Sequence, residues 1–262
     1  MRLFYEGYGA ILLKNMLKKS NTCWQSGVGL HMRAGLVFLA LSAGFANFSI
    51  GQNVGDRVPL APARLKGAVS VEEALQQRRS VRTYSDASLG LEDVAQVLWA
   101  AQGVTHPLGY RTTPSAGALQ PLVIYLVAGK VAGLTPGVYR YEPGEHALVL
   151  TQTGDLRGAL AASALGQRPV QEAPAVLVIA ADYQRTAHKY GNRAQRYVHM
   201  EAGHAAQNVY LQATARGLGT VLVGAFDDLK VREVLGLPTE HTPLGLMPIG
   251  AQPLSAWGDS LR

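Results

Sequence analysis

The sequence predicts an α+β domain organised around a central sheet. Two short runs that are apolar throughout, Leu122–Ala128 and Ala175–Ala181, have the length and composition of buried strands. Two longer stretches, 91–102 and 193–216, place apolar or small residues at helical spacing. Strands and helices follow one another without the regular alternation of a βαβ fold, and that mixture assigns the class.

Taken in order, residues 47–69 hold Pro59, Pro62 and scattered glycines without periodicity and are expected to be a linker or arm. The domain proper is expected over 70–262. Ser70-Val-Glu-Glu73 is a capping box that opens a short helix to about Arg79, after which Val81–Tyr84 is extended. A second helix covers Leu91–Gln102, with Gly103 as its stop. A loop rich in Gly and Pro then leads to the strand Leu122–Ala128. Val138–Tyr141 and Ala147–Leu150 bracket Pro143-Gly144 as a hairpin, and 156–165 is helical. The strand at 175–181 precedes the longest helix, 193–216, which Gly217 ends. Its Ala202, Gly203, Ala205, Ala206 and Ala213 allow another helix to approach closely. Strands at 220–223 and 244–249, with a short helix at 228–235 between them, complete the order.

The chain has 262 residues, 48% of them apolar and 16% charged, which suits one globular domain and excludes a disordered one. The net charge of +6 is uneven: residues 1–46 carry five Lys or Arg against Glu6, leaving 19 basic and 17 acidic side chains for the rest. That remainder is too weakly basic to argue for nucleic acid. Met32-Arg33 followed by the apolar run Ala34–Ala43 and by Gly44-Phe45-Ala46 has the pattern of a secretory signal peptide over 32–46. The run is shorter than the ~20 residues of a spanning helix, so no span is expected in the mature chain and an N-terminal membrane anchor is the alternative to export. Residues 1–31 ahead of this leader then read as a start-site artefact. They contain Cys23, the only cysteine, so disulfide and thiolate chemistry are excluded from a mature chain.

Two segments carry candidate chemistry and a third only looks as if it does. Arg78-Arg79-Ser80-Val81-Arg82 sets three guanidinium groups within five residues at a helix end, with Ser80 and Arg82 on one face. Such a group can grip a phosphate and a ring carbonyl through bidentate bonds, although basic residues also favour helix C-termini for the dipole alone. Pro114-Ser115-Ala116-Gly117-Ala118-Leu119-Gln120-Pro121 is a loop of small residues entering a buried strand, where backbone could approach a flat ring, or it is a plain turn. Gly217-Leu218-Gly219 follows a helix and precedes a strand, the reverse of a dinucleotide-binding fingerprint.

RRSVRTYSD, PSAGALQP, KYGNRAQRYVHMEAGHAAQNVYLQATARGLG and MPIGAQP, in this order and spacing, resemble the nitroreductase superfamily, specifically its SagB/ThcOx-like branch. The resemblance runs from about Glu72 to Pro253. It implies a nitroreductase-like fold with a central, mostly antiparallel sheet flanked by helices, an FMN cofactor, and a homodimer with flavin at the subunit interface. By position, Arg78, Arg79, Ser80 and Arg82 match the segment that binds the FMN phosphate, ribityl chain and ring edge. Ser115, Ala116, Gly117, Ala118 and Leu119 match the loop beside the flavin, and Val223, Gly224 and Ala225 match the backbone facing N5. Terminal Arg262 is matched to a late phosphate-binding residue, although the usual pair of such residues is missing. Many relatives carry Asn where Ala118 stands.

The resemblance also makes Lys189 and Tyr190 a candidate catalytic pair, as in azoline dehydrogenases, where a thiazoline or oxazoline of a peptide loses a hydride to flavin N5 and a proton to a base. A lysine acts as that base only if its pKa falls from ~10.4 toward roughly 7 to 8, through desolvation or the nearby charges of Arg193 and Arg196. Reduction of nitro compounds or quinones with NAD(P)H as electron donor is the competing activity, and a non-catalytic flavin-binding module the competing class. A leader peptide sits uneasily with both activities. His199 and His204, five residues apart on a helix, point about 140° from each other, so with Glu201 they do not make a zinc site and no metal is expected. His204, Gln207 and Asn208 resemble the family's GHxxQN helix segment, with hydrogen bonding near the pocket or core polar packing as their two readings.

Overall fold

A computed structural model describes residues 52–253. The leader-like stretch 32–46, the residues before it and Arg262 lie outside the described residues. Seven strands form one sheet in the order β1-β4-β3-β2-β5-β7-β6: β1 Arg57–Pro59, β2 Leu122–Ala128, β3 Gly137–Glu142, β4 Ala147–Thr153, β5 Ala175–Asp182, β6 Leu218–Thr220 and β7 His241–Ala251. Every pair of neighbouring strands is antiparallel. The helices are α1 Val71–Gln77, α2 Leu91–Gln102, α3 Arg157–Ser163, α4 Arg168–Glu172, α5 Tyr183–Tyr190, α6 Ala194–Ala215 and α7 Asp228–Val234.

The wholly apolar strands are explained by cover on both faces. Ile124, Leu126, Leu177 and Ile179 point to one side and pack with Val97, Leu98, Val198, Ala205 and Val209 of α2 and α6. Val123, Tyr125, Val176 and Val178 alternate to the other, against Leu160, Val170 and Val231 of α3, α4 and α7. The result is three layers, the nitroreductase-like α+β arrangement expected. Among the described residues no helix is long and apolar enough to cross a membrane.

Several boundaries differ from the sequence expectation. The arm expected over 47–69 contributes β1 to the sheet edge, buries Leu60 in the core, and uses Gln52 to accept from the Tyr139 hydroxyl and the Thr135 N–H. The capping box at Ser70 forms in both directions, yet α1 ends at Gln77 because Arg78 turns to φ −53, ψ 127. β6 stops at Thr220 instead of reaching Val223. Val223 rejoins the sheet as a single bridge to Leu246, where Gly245 leaves room for the Leu222 side chain.

The helix α5, absent from the sequence expectation, holds Lys189 and Tyr190. Only Thr186 of this helix is buried, so it shows no apolar stripe to read. Its punctuation was present all the same: the Asp182 side chain caps it by accepting from Gln184 N–H, and Gly191 ends it at φ 51.

Candidate functional site

The predicted residues gather into two groups, each fastened to α6. In the first, the extended chain after α1 lies beside β6, with the Val81 N–H donating to Thr220 O at 2.9 Å. The Arg78 guanidinium sits 5.1 Å above the ring of Tyr210, and Ser80 Oγ is 3.3 Å from the Tyr210 hydroxyl. That hydroxyl also accepts the Leu222 N–H at 2.7 Å. Tyr210 therefore joins the basic segment to the chain leading into Val223, Gly224 and Ala225. Sequence reasoning missed this tyrosine, and its place two residues after the GHxxQN pattern was the available sign. Gly224 and Ala225 are exposed, Val223 is buried, and the Ala225 carbonyl is taken by Gln167 Nε2 at 2.9 Å.

The three arginines are not equivalent. Arg79 Nη1 donates to the carbonyls of Gln76 and Arg78 at 2.8 Å each, the helix-end role that dipole chemistry favours. Arg78 lies on an aromatic ring, and Arg82 reaches only the Ser80 carbonyl at 3.5 Å, a marginal contact. Among the described residues none of the three is ion-paired to a carboxylate. Uncompensated guanidinium groups on an open surface suit an anionic group such as a phosphate.

In the second group, the loop of Ser115, Ala116, Gly117, Ala118 and Leu119 packs between α6 and the end of α5. Ala116 N–H donates to Glu201 Oε1 at 2.9 Å. Burial raises the Glu201 carboxyl above the usual carboxylate value, against the opposing pull of Ala116, Ser115 and His204. Gly117 has φ 61, Ala118 φ 56 and Gln120 φ 51, so two residues with side chains are held left-handed at a cost of about 1 to 2 kcal/mol each. A Cβ at Gly117 would stand 2.8 Å from Tyr190 Oη and 3.1 Å from Lys189 Nζ. The loop beside the expected flavin and the Lys-Tyr pair are thus in contact, and glycine leaves room for both side-chain ends where they meet. Lys189 is exposed, with Nζ 5.5 Å from the Tyr190 ring centre, and Tyr190 stacks edge-on against Tyr197 at 5.0 Å.

The first group meets α6 at Tyr210 and the second at Glu201. Nine residues of helix separate them by about 13.5 Å along the axis and about 180° around it. The outward face between them carries Met200, Gly203, His204 and Gln207, all exposed. Asn208 Nδ2 reaches the Thr112 carbonyl and Thr113 Oγ1, giving the polar GHxxQN segment one structural task. His199 Nε2 lies 2.6 Å from the Tyr183 hydroxyl, and among the described residues no three His, Cys, Asp or Glu gather as metal ligands. A groove of 760 Å³ opens between residues 64–71, α2 and α6, and of the residues singled out in the sequence only Asn208 lines it.

The profile of the nitroreductase family matches residues 75–251, from α1 through β7. The chain belongs to the nitroreductase family. Its members are flavin-type oxidoreductases. A candidate nitroreductase of Methanocaldococcus jannaschii, MJ1384, is 49% identical over 182 residues, 70% of this chain and 91% of that protein. The solved structure of a candidate nitroreductase from Ralstonia eutropha is 27% identical, covering 78% of this chain and 93% of its own at a TM-score of 0.67. The Escherichia coli microcin synthetase McbBCD complex with truncated pro-MccB17 bound aligns over 96% of this chain and 85% of that one. Its TM-score is 0.58 and its identity 21%, a likeness of fold.

Proposed function

We propose that the protein is an FMN-dependent oxidoreductase of the SagB-like, azoline-dehydrogenase kind, acting as a homodimer. One observation carries the reading: Lys189 and Tyr190 are in contact with Gly117, in the loop matched to the flavin side. The residues fit the cofactor, since Arg78, Arg79 and Arg82 present unpaired positive charge beside Ser80 and Tyr210, and Gly224 has open space where a Cβ would stand. Bound FMN would supply a hydride acceptor and donor at N5. Arg78, Arg79 and Arg82 would hold the phosphate and ring edge, Ser80 would donate to the ribityl chain, and the loop 115–119 would wall the ring. Lys189 would take the substrate proton, and Tyr190 would relay or return it.

The opposite placement of Glu201 and Tyr210 around α6 supports the dimer. One chain does not turn both groups to the same side, whereas a second copy packed on the face of Gly203 and Gln207 would set the loop of one protomer opposite the arginines of its partner. The same packing would withdraw exposed Lys189 from water, the condition a lysine base needs. NAD(P)H-dependent reduction of nitro compounds or quinones is the second reading, favoured by the family name of the Methanocaldococcus and Ralstonia relatives.

The test is an absorbance titration with FMN of the wild type and Arg82→Ala. The variant should bind ten- to a hundredfold more weakly, about 1.5 to 3 kcal/mol for one charged hydrogen bond. A colourless wild-type protein that takes up no added FMN would defeat the proposal. A thiazoline peptide that leaves the flavin oxidised, where NADH reduces it, would transfer the case to the second reading.

A further inference from the structure

Glu201 is the one acidic residue among the buried charged and polar side chains described, 4% exposed in the middle of α6. A carboxylate in that position is costly unless its oxygens are hydrogen bonded. Packing does not call for it: its buried neighbours one turn to either side, Val198 and Ala205, are apolar. Its hydrogen bonds run to a single place. Oε1 accepts the Ala116 N–H at 2.9 Å, and the neighbouring Ser115 Oγ accepts the Gln120 N–H at 2.9 Å. The carboxylate thereby ties the start of the loop, and Ser115 beside it ties the end. Between those ties stand the left-handed residues Gly117, Ala118 and Gln120, a conformation that the chain does not keep for its own sake. At the far side of the loop is Gly117, against Lys189 Nζ and Tyr190 Oη.

We propose that Glu201 is a positioning residue: through the Ala116 N–H it holds Gly117 against Lys189 and Tyr190, making the loop and the pair one wall of the site. The functional consequence rests on the reading of Lys189 and Tyr190 as the catalytic pair, whereas the hold on the loop does not. Glu201 touches neither the pair nor the proposed cofactor position, and acts by fixing backbone that does.

Amide hydrogen exchange on the full-length, FMN-loaded protein tests this, with Glu201→Ala, Glu201→Gln and Lys189→Ala beside the wild type. In Glu201→Ala, exchange at residues 116–120 should quicken roughly tenfold or more, the factor expected for loss of one charged hydrogen bond, while β5 and β7 keep wild-type protection. Turnover of a thiazoline peptide should fall with it. Glu201→Gln retains an oxygen for the Ala116 N–H and should restore slow exchange and most of the turnover. Unchanged exchange in the loop, loosening spread evenly over the domain, or a Gln variant as loose as the Ala variant would each overturn the proposal. Should Glu201→Ala fail to fold, Glu201→Leu replaces it, filling the space without an acceptor for the Ala116 N–H, and must loosen 116–120 for the proposal to stand. Full turnover in Lys189→Ala would sink the reading of the pair and leave the loop measurement to decide on Glu201.

Discussion

Gly117→Ala probes the meeting of loop and pair with a single methyl group. At φ 61 an alanine pays the left-handed penalty, about 1 to 2 kcal/mol. Its Cβ would stand 2.8 Å from Tyr190 Oη, where ordinary contact begins near 3.4 Å, so that hydroxyl must retreat by about 0.6 Å. Lys189 Nζ, at 3.1 Å, must give less. Both atoms end side chains that can swing, so the backbone penalty dominates stability. The melting temperature should drop by roughly 2 to 8 °C for a domain of this size. Turnover should suffer more, since misplacement by a sizeable fraction of an ångström at the reacting centre costs roughly ten- to a hundredfold. FMN affinity should fall less than turnover, because the arginine segment that would hold the phosphate is fastened at Tyr210 on the opposite side of α6. Calorimetry, flavin titration and single-turnover reduction by a thiazoline peptide separate these effects. Full turnover in a folded Gly117→Ala protein would refute the placement of Lys189 and Tyr190 at the chemistry.

Two further outcomes follow from the same contacts. Tyr210→Phe removes the acceptor for the Leu222 N–H and the partner of Ser80 while keeping a ring under Arg78. It should lower stability by about 0.5 to 1.5 kcal/mol and weaken FMN several-fold, with Tyr210→Ala worse on both counts in melting and titration. His241 is buried with Nδ1 2.7 Å from the Tyr125 hydroxyl, and burial lowers its pKa below the ordinary histidine value. Below about pH 6.5 the unfolded chain takes up a proton that the folded one resists, so stability falls as pH drops from there through the folded pKa. Melting curves between about pH 7.5 and 5 should show that slope, flattened in His241→Gln; equal slopes would count against His241 as its source.

Much of the fold was legible because its strongest determinants are local. The uniformly apolar runs at 122–128 and 175–181 could only be strands covered on both faces. The capping box at Ser70 and the helical spacing from Leu91 to Gln102 needed no distant partner. By contrast, α5 was invisible to periodicity because a helix lying on the surface with only Thr186 buried has no apolar face to display. β1 was hidden for a related reason: a three-residue edge strand is made by its partner β4 rather than by its own composition.

By itself the sequence determined the layers of the domain and, through four motifs in a fixed order, the nitroreductase family. It also supplied the residue types of the site, since guanidinium groups, a small-residue loop and a Lys-Tyr pair are chemical facts before they are positions. Tertiary structure alone decided which of them meet. Lys189 and Gly117 are far apart in sequence and are brought together by α5 and the strained loop. Glu201 looked like a poor metal ligand until its carboxylate was seen to accept from that loop, and Tyr210, marked only by its place after the GHxxQN pattern, gained a role when its hydroxyl joined Ser80 to Leu222. Helical geometry then divides the site: residues 201 and 210 belong to one helix, but about half a turn of rotation sets them on opposite sides. That division is a property of the packed helix, and no motif spells it out.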